Sequence, residues 1–251
     1  MSTLILRLSG PMQSWGTQSR FTMRDAGREP SKSGVVGLLA AAQGLPRNDS
    51  SGISKLMTLR MAVRIDREGI LRRDYQTTGG GLRPGSLGYG VIDASGKKGN
   101  AVLSNRYYLA DADFRVALES DDDDWLHEIQ LALSAPKWSL FLGRKAFIPA
   151  CPIGVGVREK LSAAEALLHS DEKVFVRSDR ERKELLQVGQ LRAVVEVTDP
   201  READDIRCDV TDSFQERDFH TRYVTTHWIE LSPDMVQLDP LLFDPSTLNT
   251  H

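Results

Sequence analysis

The chain has 251 residues, of which 40% are hydrophobic, so it can build one large domain or two small ones around a core and is not a disordered tail. It has no uninterrupted run of about 18 apolar residues, and its N-terminus lacks the basic region and long apolar core of a signal peptide, so we expect a soluble, cytoplasmic protein with no membrane partner. The net charge of −3 argues at first against a nucleic-acid partner.

A strand and a helix are predicted at the start of the chain. The β-rich segment Thr3 to Leu8 is followed by strong turn residues, which is typical of a short buried strand. The next apolar segment predicts a helix of small residues with Ser33 as its N-cap and Gly44 as its C′ residue. Gly34 and Gly37 lie one turn apart in this helix, and we expect them to allow the close approach of another backbone.

Two strands joined by a short turn are predicted next, followed by a long glycine-rich segment. Apolar and polar residues alternate from Leu59 to Ile65, Glu68-Gly69 is typical of a turn, and Ile70 to Thr77 predicts the returning strand. Residues 78–100 contain eight glycines, which indicates a long loop or a protruding hairpin.

The second half of the chain continues with strands and helices. Strands are predicted at Asn105 to Ala110 and Phe114 to Glu119, followed by a helix that begins near Asp121 to Asp124. We interpret these four aspartates as favourable to the helix dipole and not as metal ligands. The later predictions are a short helix near Ser162 to His169, a strand at Leu191 to Val197, a charged stretch from Asp199 to Asp218, a last strand near Tyr223 to Leu231, and a loosely attached tail from Ser232.

The order of these elements predicts the fold class. A strand, a helix, a hairpin, further strands and a helix are typical of a ferredoxin-like βαββαβ unit, so we predict an α+β, ferredoxin-like (RRM-like) fold. We assign this unit to residues 1–155, with a protruding β-hairpin at about 78–104. Residues 156–251 are assigned to a smaller C-terminal β-rich portion and the tail.

Charge is unevenly distributed along the chain. Residues 1–106 contain 16 Lys and Arg against 7 Asp and Glu, a balance of +9, whereas residues 107–251 contain 16 against 28, a balance of −12. A basic part and an acidic part suit a protein that binds phosphate on one side and something else on the other. Alternatively, the charges of both parts intermingle on the folded surface.

The loop GPMQSWG directly after the first strand is the first candidate for RNA binding. In one interpretation an exposed Trp15 or Met12 stacks on a base while the glycines let the backbone approach a sugar-phosphate. In the other, which composition alone favours, Trp15 is a core residue that closes the end of the sheet. The candidate residues are Gly10, Pro11, Met12, Gln13, Trp15 and Gly16.

A basic cluster leads into the first helix. Free backbone N–H groups and the positive end of the dipole attract anions at a helix N-terminus, so we predict a phosphate site there. The alternative is a set of solvated arginines on a loop. Neither the P-loop order nor a dinucleotide-binding fingerprint is present. The candidate residues are Arg20, Arg24, Arg28, Lys32, Ser33 and Gly34.

Basic and aromatic residues also surround the glycine-rich protrusion, and another basic loop follows the second helix. A finger of this composition wedges between bases or packs on a neighbouring subunit. The candidates for RNA binding are Arg73, Tyr75, Arg83, Arg106, Arg144 and Lys145.

Candidates for catalysis are few. The histidines are scattered, and no nucleophile-and-base motif such as Gly-x-Ser-x-Gly occurs. His220, near Arg217 and Arg222, is the only histidine in a setting suited to RNA, so a metal-independent ribonuclease is an open alternative. Cys151 and Cys208 lack the spacing of metal ligands, and we expect no metal and no other cofactor.

Five segments carry a resemblance to a known family. They are LILRLSGPMQSWG (4–16), GREPSKSGVVGLLAAAQGLPR (27–47), RDYQT (73–77), NRYYLADADFRVAL (105–118) and LFLGRKAFIP (140–149). These segments resemble the CasD family, the RAMP-superfamily subunits of the type I-E CRISPR Cascade surveillance complex. The resemblance covers the first 155 residues, fades after Gly156 and returns weakly at 217–228.

The resemblance implies a RAMP domain whose β-hairpin, called the thumb, helps to cap the 5′ handle of the CRISPR RNA. It also implies contacts with the neighbouring backbone subunit and with the large subunit that inspects target DNA. Members of this family leave cleavage to a separate endonuclease, whereas a related branch in type I-C systems cleaves the precursor RNA. By position, the RNA-facing parts are 10–16, 24–34 and 79–106.

We therefore expect a noncatalytic, RNA-binding subunit of a ribonucleoprotein complex for antiviral defence. Two other hypotheses stay open at this point. The chain is a metal-independent endoribonuclease that cuts CRISPR repeat RNA, or it is a protein scaffold whose acidic half docks partners and whose basic half is neutralised.

Overall fold

The computed structural model describes residues 1–17, 22–79, 91, 96, 101–168, 172–216 and 218–243. The strands of this part of the chain are β1 (Ser2–Ser9), β2 (Met12–Gln13), β3 (Met23–Arg24), β4 (Arg60–Arg67), β5 (Ile70–Thr78), β6 (Val102–Ala110), β7 (Asp113–Ser120), β8 (Gly154–Glu159), β9 (Val174–Val176), β10 (Gln190–Val197), β11 (Asp205–Val210), β12 (His220–Glu230) and β13 (Val236–Leu238). The helices are α1 (Lys32–Gln43), α2 (Ser50–Met57), α3 (Asp123–Ser134), α4 (Ala163–Leu168), α5 (Asp179–Val188) and α6 (Pro240–Phe243), with a 3-10 turn at Pro200–Glu202.

A seven-stranded antiparallel sheet in the order β11-β12-β10-β4-β7-β1-β8 forms the body of the protein. Alternate residues of β1 point to opposite faces, and both faces are covered, so Ser2 to Leu8 are all buried. Leu4, Leu6 and Leu8 join the core formed with α1, α2 and α3, whereas Ile5 packs with α4 on the other face. The α+β mixture of helices and mostly antiparallel strands agrees with the predicted fold class.

The C-terminal strands belong to the same sheet as the N-terminal ones. Val194 of β10 pairs in antiparallel register with Val63 of β4, so residues from both predicted portions share one set of backbone hydrogen bonds. Their division at residue 155 stays a prediction. No helix in the described part of the chain is long and apolar enough to cross a membrane.

Helix α1 is confirmed, but its N-cap lies two residues before the predicted one. Ser31, not Ser33, is the cap, and its Oγ accepts a hydrogen bond from the Gly34 N–H at 3.3 Å. Gly44 ends the helix with a φ of 74°, as its left-handed C-cap role requires. Gly34 faces the ring of Trp15 and not another backbone, because a Cβ at this position would lie 2.8 Å from Trp15 Cε3.

The C-terminal region is more ordered than its sequence predicts. Helix α5 and strand β11 form in stretches where no helix or strand was predicted. The prediction of a loosely attached tail from Ser232 is wrong for residues 232–243, because β13 pairs in parallel with β9 and Val236 is buried. The pairing of β13 with β9 depends on a partner about 60 residues away in sequence, which a local pattern does not reveal.

A smaller sheet extends from the body at the base of the hairpin predicted at about 78–104, and we call it the thumb sheet. Strands β5 and β6 form an antiparallel hairpin, and the other edge of β6 pairs with β2 and, in parallel, with β3. Because β5 continues from β4 and β6 leads into β7, this hairpin is a direct extension of two central strands of the body. The prediction that Ile70 to Thr77 returns against the preceding strand through a Glu68-Gly69 turn is wrong, because β4 pairs with β7 and β10 and β5 pairs with β6. Most of the predicted glycine-rich tip, 80–90, 92–95 and 97–100, lies outside the described residues.

Candidate nucleic-acid interface

One transverse row of the thumb sheet brings two of the predicted arginines together. Arg24 of β3 lies in register with Arg106 of β6, and Arg106 lies in register with Asp74 of β5. Residues directly opposite one another on paired strands project from the same face. Arg24, Arg106 and Asp74 therefore share a face of the thumb sheet.

Arg144 joins this row from the loop that precedes β8. Its Nη2 atom donates to the carbonyl oxygen of Arg24 at 3.4 Å, and its guanidinium carbon lies 5.5 Å from the centroid of the Phe147 ring. Burial lowers the pKa of Arg144, and the charge of Arg106 lowers it further, while Asp74 opposes the shift. Arg24 also lowers the pKa of Arg144, and Asp25 also opposes the shift.

A glycine fixes the loop that carries Arg144. Gly143 has a φ of 88°, and a Cβ at this position would lie 1.8 Å from the carbonyl oxygen of Ser14. The Ser14 N–H donates to the carbonyl oxygen of Leu142 at 3.1 Å, so the loop packs against the segment that directly follows β2. The position of the Arg144 side chain is set by this contact between backbones.

We call Arg24, Arg106 and Arg144 the arginine cluster. Within the described residues, none of its three guanidinium groups forms an ion pair with a carboxylate. The one carboxylate in the same row, Asp74, accepts a hydrogen bond from the Gln76 amide. Lys145 is exposed next to the cluster in sequence. The cluster therefore presents an excess of positive charge at the base of the thumb.

Many other cations of the basic half are neutralised by the acidic half. Lys32 pairs with Glu196 at 2.7 Å, and Arg67 pairs with Glu181 at 2.5 Å. In the opposite sense, Glu29 of the basic half accepts from Arg192 and Arg207 at 2.7 and 2.9 Å. The charges of the two halves thus intermingle in the fold, so the count of +9 does not measure the free positive charge of one surface.

The predicted phosphate site at the N-terminus of α1 is already occupied by a carboxylate of the protein. The Lys32 N–H donates to Asp209 Oδ2 at 2.7 Å, and Arg222 Nε donates to Asp209 Oδ1, also at 2.7 Å. The Lys32 side chain is only 3% exposed, and burial lowers its pKa against the opposing effect of Glu196. The structure therefore corrects the prediction that Lys32 and this helix terminus receive a phosphate.

Trp15 is a core residue, as the second interpretation of the GPMQSWG loop expects. Its side chain is 1% exposed, and its Nε1 donates to the side-chain oxygen of Gln13 at 3.1 Å. The Gln13 amide in turn donates to the carbonyl oxygen of Leu8 at 2.9 Å. Buried in this way, neither Trp15 nor Gln13 presents a side chain to a base, which corrects the stacking interpretation for Trp15. Of the remaining candidates in this loop, Gly10 is buried, Met12 is partly buried, and Pro11 and Gly16 are exposed.

The other predicted residues are separated from the arginine cluster. Arg28 is exposed at a cleft of about 670 Å³ between the segment before α1 and strands β10 to β12, and Ser33 is partly buried in α1. Arg73 and Tyr75 are exposed on β5, in registers that place them on the thumb face opposite to the cluster. Arg20 and Arg83 lie outside the described residues.

His220 lies far from the arginine cluster. It begins β12, beyond the pair formed by Tyr223 and Val197, at the end of the sheet away from the thumb. Its Nε2 atom is 3.5 Å from Asp212 Oδ2, and both side chains are exposed. No group of three metal-ligating side chains occurs among the described residues.

Sequence reasoning did not identify the acidic residues that organise this region. Glu29 and Asp209 fix the segment before α1 through contacts that are distant in sequence. Glu29 accepts from Arg192 and Arg207, which lie 163 and 178 positions away, and Asp209 accepts from the Lys32 N–H, 177 positions away. Met23 and Asn105 lie on exposed strands of the thumb sheet and were also missed. The alternation within the predicted strand from Asn105 would have indicated that Asn105 and Tyr107 share a face, whereas the two-residue strand β3 has no periodic pattern.

Comparison with known proteins agrees with this architecture. Residues 3–227 match the family model described as CRISPR-associated protein (Cas_Cas5). The chain belongs to the Cas5 family of CRISPR-associated proteins. The match extends well beyond the first 155 residues that carry the resemblance, and includes strands β10 and β11 and most of β12.

Individual relatives of this Cas5-family chain cover most of its length. The "CRISPR system Cascade subunit CasD" of Escherichia coli (strain K12) is 34% identical over 179 residues, which are 67% of this chain and 76% of the relative. A chain of a solved "CRISPR RNA-guided surveillance complex" is 31% identical with a TM-score of 0.75, covering 93% of this chain and 92% of that one. A solved "Cas protein" is 32% identical with a TM-score of 0.66, covering 95% and 99%. The predicted family resemblance and fold class are confirmed.

Proposed function

We propose that this protein is a noncatalytic subunit of a Cascade-type surveillance complex and that it caps the 5′ handle of the guide RNA. The relative from E. coli is named as a Cascade subunit, and one matching structure is named as an RNA-guided surveillance complex. The backbone and large subunits of such a complex are then its protein partners. Target DNA is approached only indirectly, through the large subunit.

The observation that carries this proposal is the arginine cluster. Guanidinium groups bind phosphate oxygens through paired, charge-assisted hydrogen bonds, and Arg24, Arg106 and Arg144 have no carboxylate partner among the described residues. They come from a loop and two strands that the backbone of the body holds in place. A preformed site of this kind suits a single RNA strand whose phosphates pass the base of the thumb.

The same geometry supports holding the RNA without cutting it. His220 is the candidate base of a metal-independent ribonuclease, but it lies at the opposite end of the sheet from the arginine cluster. A base acts only within hydrogen-bond reach of the proton that it removes. An RNA whose phosphates occupy the cluster is not placed for cleavage by His220.

The proposal is tested by replacing the three arginines with glutamine in the full chain and in the assembled complex. Glutamine keeps hydrogen-bonding groups but removes the charge, so the triple variant should bind a handle-bearing RNA at least about tenfold more weakly. Arg201→Gln is the matched control, because this exposed arginine pairs with Asp199 just after β10, at the end of the sheet away from the thumb. Equal binding by the triple variant and the control would refute the assignment.

The noncatalytic part of the proposal has its own test. The full chain is incubated with labelled CRISPR repeat RNA in EDTA, and the RNA should remain intact. Cleavage by the full chain that disappears in His220→Ala would replace this function with that of a metal-independent endoribonuclease.

A further inference from the structure

The thumb face opposite to the arginine cluster carries a second transverse row of side chains. Met23 of β3 lies in register with Asn105 of β6, and Asn105 lies in register with Tyr75 of β5. These residues alternate with Arg24, Arg106 and Asp74 along the same three strands, so they project from the other face. The Asn105 Nδ2 atom lies 3.7 Å from Met23 Sδ, which confirms that the two side chains meet.

The row is open to solvent. Tyr75 is 60% exposed and Met23 is 45% exposed, and they lie on the two strands that flank β6. Arg73 and Tyr107 form the next pair on the same face, and Arg73 is exposed as well. Within the described parts of β3, β5 and β6, this face carries no carboxylate. We call Met23, Tyr75 and Asn105 the thumb platform.

We propose that the thumb platform binds one unpaired nucleobase of the guide RNA. The base stacks on the Tyr75 ring, the flexible thioether of Met23 packs beside it, and the Asn105 amide hydrogen-bonds with the edge of the base. This inference rests on the proposed function, because it needs an RNA strand at the thumb, and it adds a residue that discriminates between bases.

The chemistry of the platform favours a base over a protein surface. Aromatic rings accept any base by stacking, and an amide offers both a donor and an acceptor to a base edge. The Asn105 side chain makes only a weak contact with sulfur in the described structure, so its hydrogen-bonding capacity is largely available. Arg73 supplies a cation beside the ring for the phosphate of the same nucleotide.

The platform and the arginine cluster lie on opposite faces of the thumb sheet, and their residues are neighbours in sequence. Met23 directly precedes Arg24, and Asn105 directly precedes Arg106. Strand β3 pairs with β6 alone among the described strands, so it forms an edge of the described thumb sheet. An RNA strand that passes this edge can place phosphates on the cluster and one base on the platform.

The experiment measures the affinity of the full chain and of the assembled complex for a series of handle RNAs, each with one base removed to leave an abasic nucleotide. We expect one position at which the missing base weakens binding to the wild type about tenfold, because stacking on an aromatic side chain is worth that much or more. In Tyr75→Ala the intact RNA should bind about tenfold more weakly, and the abasic change at that position should have no further effect.

Two further variants separate stacking from recognition. Tyr75→Phe should bind like the wild type, because the ring is retained. Asn105→Ala should bind the intact RNA with a smaller loss and should tolerate all four bases at the sensitive position, whereas the wild type prefers one. Ile70→Ala is the control, since Ile70 is exposed on β5 and its register places it on the other face.

The outcomes distinguish this inference from the proposed function. If Tyr75→Ala and Asn105→Ala bind every RNA like the wild type while the arginine variants bind weakly, the platform is not a base site and the proposed function stands. If the platform variants bind RNA normally but fail to enter the complex, the platform is a protein contact and the inference is wrong. If neither set of variants affects RNA binding, the proposed function fails as well.

Discussion

Arg7 of the first strand and Asp239, which precedes the last described helix, form an ion pair across 232 positions of the chain. The Arg7 Nη2 atom lies 2.6 Å from Asp239 Oδ2 and 2.7 Å from Asp113 Oδ2, and all three side chains are buried. The ring of Phe175 from β9 packs on the Arg7 guanidinium group, with 4.7 Å between the guanidinium carbon and the ring centroid. The buried ion pair between Arg7 and Asp239 thus holds the C-terminal segment against the central sheet.

Asp239→Asn should lower the free energy of unfolding by about 1–3 kcal/mol, because it leaves a buried guanidinium group with one carboxylate in place of two. The measurement is a urea titration of the full chain, read as a shift of the midpoint at constant slope. Glu184→Gln removes an exposed carboxylate from the pair with Arg180 on α5 and should leave the midpoint unchanged. If Asp239→Asn behaves like this control, the segment is not fastened by the pair.

Gly34→Ala and Gly37→Ala should change stability in opposite directions although both lie in α1. A Cβ at Gly34 would lie 2.8 Å from Trp15 Cε3, so alanine should cost about 1–3 kcal/mol through overpacking. At Gly37 the nearest atom outside the helix is Phe214 Cζ at 3.6 Å, an ordinary contact, so alanine should stabilise by about 0.5–1 kcal/mol through helix propensity. Thermal unfolding of both variants measures the difference, and equal shifts would show that the ring of Trp15 moves aside without cost.

Local patterns in the sequence predict many but not all strands and helices of the body, and α1 and β1 show why some could be predicted. The Gly44 cap of α1 and the β-rich segment of β1, which is followed by the turn residues Gly10 and Pro11, are properties of neighbouring residues, which a sequence displays directly. Strand β13 has only three residues and its partner β9 is distant in sequence, so no local period indicates it. The cap of α1 was misplaced because Ser31 and Ser33 are both good caps in sequence.

The candidate site was predicted in part, for a related physical reason. Charge alone predicted Arg24, Arg106 and Arg144 as candidates. In the fold, none of them forms an ion pair with a carboxylate of the described residues. Lys32 has the same charge and was identified too, but Glu196 neutralises it in the interior. Whether a cation is free depends on acids brought near by the fold, and a sequence does not show which cations will be paired.

The two cysteines should react at different rates with an aromatic disulfide reagent. Burial raises the pKa of Cys151, with Arg7 opposing, so less of its thiol is ionised at a given pH, whereas Cys208 is exposed. Because the thiolate reacts, the Cys151 rate should rise about tenfold per pH unit and should continue to rise above pH ~8.5, where an ordinary thiol levels off. Cys208→Ser isolates the slow reaction, and a single fast phase in that variant would contradict the burial of Cys151.

The salt dependence of RNA binding should separate the arginine cluster from the thumb platform. Each phosphate that an arginine neutralises on a single strand contributes a slope of about −0.7 to the logarithm of the affinity against the logarithm of the salt concentration. Arg24→Gln, Arg106→Gln and Arg144→Gln should therefore each make the slope less negative by about 0.7, and the triple variant by about 2.

Tyr75→Ala provides the contrast, because stacking releases no counterions. Its affinity should fall by a similar factor at every salt concentration, and its slope should equal that of the wild type. Titrations of one labelled handle RNA over a series of salt concentrations give all of these slopes. A triple variant with the slope of the wild type would show that the cluster does not contact phosphate, even if its affinity were reduced. A changed slope in Tyr75→Ala would show that the ring acts by positioning the charges nearby.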